Sequence, residues 1–171
     1  MIRVMGVDPG LAATGIGMVS GRGSRVAGFA YGDIRTEPRD PVPERLNRIY
    51  ERMTEILRTE RPHRMVVEAV FFLPRYPASG LTLGKVVGVI QLAAARAAVP
   101  VSEVPVREAK KVLTGNGAAG KHQLEQAVRR TLNLSAPIQP FHASDALALA
   151  LIGLYRHPPA TVSPPFAACD P

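Results

Sequence analysis

The chain has 171 residues, 46% of them hydrophobic, which suits one domain with a sizeable core. A single cysteine, Cys169, argues against a disulfide scaffold or a cysteine-based metal site. The absence of a long apolar run and of a signal-peptide pattern argues against a membrane protein and leads us to expect a cytoplasmic one. Twenty-one basic residues against fourteen acidic give a net charge of +7 and a pI near 10.2, pointing to an anionic partner, with nucleic acid the commonest.

In chain order, an apolar run stops on Asp8, Pro9-Gly10 turns the chain, and a light apolar segment with Thr14, Gly15 and Gly17 follows. This predicts strands over 2–8 and 14–20, and the signal Gly21-Arg22-Gly23-Ser24 leads to a third over Arg25–Ile34. Three strands joined by short turns make an antiparallel meander. After a polar loop, Arg35–Pro43, Leu46, Ile49, Tyr50, Met53, Ile56 and Leu57 recur at helical spacing, and Pro62 ends the unit. Met65-Val66-Val67 predicts a short strand ending in Glu68, followed by a loop, Phe71-Phe72-Leu73-Pro74. Ser79–Ala98 reads as a nearly uncharged helix buried on much of its circumference, with a ridge of Gly80, Gly84 and Gly88. Pro100–Val104 is the fifth strand, and the strand–helix alternation implies parallel pairing in this half. A basic stretch, Val106 to Lys111, then precedes helices over Lys121–Leu132 and about His142–Arg156. The expected domain is 1–156; the Pro-rich 157–171 reads as a disordered tail.

Most acidic residues fall where solvent is expected, but three do not. Asp8 and Glu68 end apolar strands, and Asp145 interrupts an otherwise apolar helix, three residues after His142 and on the same face. Each has an ordinary reading. Asp8 can merely start a turn, Glu68 can pair with an arginine, Asp145 can face its helix N-terminus, and His142 can cap or fill a core. Together, two strand ends and one helix turn can converge, and carboxylates gathered so closely call for divalent cations. Such a site suits two-metal phosphodiester hydrolysis.

The segments GVDPG, VVEAVFF, AKKVLTGNGAAGK and ASDALALA, in that order and spacing, resemble the RuvC family of Holliday-junction resolvases. The resemblance covers about residues 1–156. It implies an α/β, ribonuclease H-like fold with a five-stranded mixed sheet, three antiparallel strands then parallel ones, flanked by helices. It also implies a homodimeric endonuclease that resolves four-way DNA junctions by paired symmetric nicks, using two divalent ions per subunit, Mg²⁺ or Mn²⁺. A branch-migration helicase complex of the RuvA and RuvB type is the implied partner. Asp8, Glu68 and Asp145 match three of the family's metal-binding acids. The fourth position is an aspartate in many members and is His142 here, which shifts the expected metal preference towards Mn²⁺. Lys110 and Lys121 match lysines at the cleft, and Phe71 matches an aromatic that stacks on a base, with core packing as its alternative. Arg107 and Lys111, in the same basic stretch, are expected to contact DNA.

Two enzyme alternatives share elements of this pattern. An RNA-processing nuclease of the same fold class differs in substrate. The Asp-Pro-Gly hairpin also resembles the phosphate loop of actin-like ATPases, but those need two such domains and the chain is too short. A junction-binding protein without chemistry would need a broken acid set, and only His142 points that way.

Overall fold

The computed structural model describes residues 1–70 and 77–156, so Phe71 and the expected tail lie outside the described residues. Ile2–Asp8 (β1), Ala13–Arg22 (β2) and Arg25–Arg35 (β3) are the N-terminal strands; Arg64–Glu68 (β4) and Val101–Val104 (β5) follow. They form one sheet in the order β3-β2-β1-β4-β5. The pairs β1–β2 and β2–β3 are antiparallel, whereas β1–β4 and β4–β5 are parallel. The mixed sheet expected from sequence is present, with β1 at its centre.

Strand alternation divides the core in two. Val4, Val19, Val66 and Val104 pack under Val106–Thr114 (α3), Lys121–Leu132 (α4) and Phe141–Tyr155 (α5). On the opposite face Met5, Val7, Ile16, Met18, Met65 and Val67 pack under Val42–Glu60 (α1) and Pro77–Arg96 (α2). By the same parity, Asp8 and Glu68, one strand-step of two from Gly6 and Val66, look towards the α5 side.

α5 is apolar and buried all round, with Ala146 through Leu154 inaccessible, as befits a helix enclosed between sheet and neighbours. Glycines make its seat. A Cβ on Gly17 would stand 2.5 Å from the Leu147 amide nitrogen, and one on Gly6 would overlap the Ala146 carbonyl. With no side chains at these positions, the helix backbone lies directly on β1 and β2.

Three expectations change. The basic stretch after β5 is itself a helix, α3, closed by Gly115 in the left-handed region at φ 78°. α1 begins inside the expected loop, because Pro43 is acceptable in a first helical turn. In this single chain α2 is buried on one face only. Val86, Val87, Ile90, Ala93 and Ala94 pack inward while Leu81, Gly84, Gly88 and Leu92 stand exposed.

Candidate active site

The site assembles at the C-terminal ends of β1 and β4, under the start of α5. Val7 pairs with Val67, and the next residue on each parallel strand is an acid, so Asp8 and Glu68 become neighbours. The turn after Asp8 is closed by Thr14, wholly buried, whose hydroxyl donates to the Gly10 carbonyl at 2.8 Å. That hydroxyl also accepts the Gly10 amide at 3.4 Å. Asp145 comes from α5, and His142 lies one turn nearer the helix start.

Electrostatics bind these residues into one group. Burial pushes the Asp8 carboxyl up to about 8, helped by a hydrogen bond with Glu68 and by the negative charges of Glu68 and Asp145. Asp145 is raised too, first by burial and then by Glu68. Lys121 opposes the rise at both acids, and Lys110 and His142 oppose it at Asp145. The structure thus brings both cleft lysines, from α3 and the start of α4, to the acids. Arg107 instead lies against Gly117, and neither it nor Lys111 is among the largest influences on Asp8 or Asp145.

The donor chemistry fits divalent cations. Asp8 and Asp145, which burial first and neighbouring negative charge second dispose to keep a proton, stand with Glu68 as groups whose charge a hard cation would neutralise. As the side chains stand, no set of three His, Asp or Glu among the described residues is drawn closely enough to enclose an ion. Asp8 and Glu68 stand side by side at the ends of their strands, and His142 has its Nε2 engaged by another partner.

That partner is Asp33 on β3, which reading the sequence did not single out. His142 Nε2 lies 3.2 Å from Asp33 Oδ2, and Arg35 Nε donates to the same oxygen at 2.5 Å. Burial works against the Asp33 charge, but the hydrogen bonds and charges of Arg35 and His142 outweigh it and hold its carboxyl below the usual range. A second missed acid is Glu125, only 1% exposed, although an acid there was expected to meet solvent. Its Oε1 accepts the Ile138 amide at 2.9 Å, tying α4 to the segment that leads into α5. Its position just off the apolar stripe of α4 was the available signal.

Comparison with known proteins follows the same lines. The family model described as crossover junction endodeoxyribonuclease RuvC matches residues 4–153. A protein of that name from Brevibacillus brevis is 40% identical over 150 residues, 88% of this chain and 90% of its own. One from Alkalilimnicola ehrlichii is 42% identical over 157 residues, 91% and 93% of the two chains. Among solved structures, Thermus thermophilus RuvC in complex with a Holliday junction substrate superposes with a TM-score of 0.82 at 32% identity. That match covers 90% of this chain and 98% of the other. The yeast mitochondrial resolvase Ydc2, 11% identical with a TM-score of 0.60 and covering 90% and 77% of the two chains, shares the fold alone. With its ribonuclease H-like sheet, its acid cluster and these relatives, the chain belongs to the RuvC family of crossover junction endodeoxyribonucleases.

Proposed function

We propose that Asp8, Glu68 and Asp145, with His142 as fourth donor, are the catalytic ligands through which this endonuclease cuts four-way DNA junctions. The observation that carries the reading is the Asp8 carboxyl, held near 8 by burial and by the two acids beside it. The family depends on divalent metal. Bound there, two such ions would supply charge neutralisation and Lewis acidity to phosphodiester hydrolysis. The chain's own contribution is to keep these acids in a half-buried pocket and to present cations beside them. Lys121 at the first position of α4 is disfavoured by its own helix by ~0.3–1 kcal/mol, a cost that a bound phosphate offsets. Lys110 approaches from α3. Arg107, Lys111 and Phe71 are proposed to contact DNA.

The imidazole of His142 removes one negative charge from the donor set and accepts softer ions, so Mn²⁺ is the proposed preference over Mg²⁺. Because one chain carries one acid cluster and resolution needs two nicks, the working unit is proposed to be a homodimer. A helicase complex of the RuvA and RuvB type is its proposed partner, the cytoplasm its proposed location, and 1–156 its nuclease domain. No helix among the described residues is long and apolar enough to cross a membrane.

The test is cleavage of a labelled four-way junction in Mn²⁺ or Mg²⁺, with binding measured in parallel. Asp8→Asn should abolish nicking and leave junction binding in place, since the basic surface is untouched. Nicking above a few per cent of wild type would overturn the assignment.

A further inference from the structure

We infer that Asp33 is a positioning residue for His142, fixing its ring so that Nδ1 is the nitrogen left with a lone pair for metal. The sheet register carries the argument. Asp8 on β1 pairs with Gly15 on β2, and Gly15 pairs with Asp33 on β3. Directly opposed residues of antiparallel strands point to the same face, so Asp8, Gly15 and Asp33 form one row beneath α5. Strands lie about 4.8 Å apart, which puts the Cα atoms of the two acids about 10 Å from each other with β2 between them. The middle of the row is a glycine because the helix start rests on it: a Cβ on Gly15 would overlap the His142 carbonyl. His142 is therefore seated between an acid of the catalytic cluster on one side and Asp33 on the other.

Hydrogen-bond chemistry then sets the ring. An ionised carboxylate can only accept, so the nitrogen that faces Asp33 must carry a proton. That nitrogen is Nε2, at 3.2 Å. In the neutral ring the lone pair accordingly sits on Nδ1. Arg35, hydrogen-bonded to the same Asp33 oxygen from two residues along the strand, holds the carboxylate in place. The side chains of Asp33 and His142 are 18% and 29% exposed, sheltered enough for the contact to persist and close enough to the surface to need no core rearrangement. A carboxylate behind a ligating imidazole is a general device for fixing tautomer and raising basicity. Here it is supplied by a strand outside the acid cluster. The inference rests on the reading of His142 as a metal donor.

Two measurements test it on the full chain. The ¹⁵N shifts of the His142 ring in metal-free protein, assigned against His142→Ala, report the tautomer. Mn²⁺ affinity, followed by loss of the free-ion electron paramagnetic resonance signal, reports the consequence. Wild type should show the Nε2–H tautomer. Asp33→Ala should mix the tautomers and weaken Mn²⁺ binding by ~10–100-fold, and Asp33→Asn, whose amide oxygen still accepts, should restore the tautomer. An Nδ1–H tautomer in wild type, or Asp33→Ala binding Mn²⁺ as tightly as wild type, overturns the inference. If His142→Ala itself leaves Mn²⁺ affinity unchanged, the ligand reading of His142 is what fails.

Discussion

Asp8 holds a proton at neutral pH that an ordinary aspartate has lost, and this makes the site measurable without DNA. In the unfolded chain its carboxyl titrates near 3.8, in the fold near about 8. Between those values the unfolded state has released a proton that the folded state keeps, so stability of the metal-free protein falls as pH rises through the window. The loss levels off above the folded value. On the proposed ligand set a divalent metal would take the proton's place and should restore stability most at the alkaline end. We predict that wild-type melting temperature in chelator declines from pH about 5 to pH about 8, by a few kcal/mol equivalent. Asp8→Asn, which has no proton to lose, should be flatter with pH and should melt higher than wild type near neutrality. Melts in chelator and in Mn²⁺ check this; a wild-type melting temperature that climbs with pH in chelator refutes it. The three acids were legible in sequence because a charge at the end of an apolar strand or inside an apolar helix is conspicuous. Asp33 was not, because it lies beside an arginine on an edge strand and gains meaning only through register with Gly15.

At the scale of elements, period and turn chemistry identified the five strands and four of the five helices among the described residues, with boundaries moved by a residue or two in most. The helix missed, α3, is nine residues long, and its lysines dominate the pattern that Val106, Ala109 and Leu113 also carry. What a one-dimensional pattern hides is mutual approach. Gly15 and Gly17 read as a light strand, yet they are where α5 sits; the ridge on α2 reads as a packing surface, yet a Cβ at Gly84 or Gly88 meets no neighbouring element among the described residues. The two sets of glycines therefore predict opposite outcomes. Gly17→Ala forces its methyl against the α5 backbone, which cannot step aside as a side chain would, and should cost at least ~1–3 kcal/mol. It should also lower activity, because α5 carries Asp145 and His142. Chemical denaturation and the junction assay read both effects. A Gly17→Ala protein of wild-type stability would mean that α5 does not rest on β2 as described.

For the whole molecule, the open question is how one acid cluster per chain yields two nicks. α2 offers a surface: Leu81, Gly84, Gly88 and Leu92 follow helical spacing, stand exposed, and have only Lys85 as a charge among them. Leu92 is 53% exposed, a large apolar side chain left facing water in the single chain. If a second copy covers this face, the glycines let the partner's backbone come close, and bulk there should harm assembly without harming the fold. Gly84→Leu tests this cleanly. Among the described residues a Cβ at this position meets nothing within 4 Å, and exchanging glycine for leucine in a helix should favour the helix by somewhat under ~1 kcal/mol. We predict a protein with unchanged circular dichroism and an equal or higher monomer melting temperature that sediments as a monomer where wild type sediments as a dimer. Leu92→Lys, which places a charge in the same surface, should do likewise. Both variants should still cut a junction, but the two strands should be nicked independently rather than in one bound lifetime, which a supercoiled cruciform plasmid reports as nicked circles in place of linear product. Wild-type sedimentation and linear product from both variants would refute this face of α2 as a contact between copies.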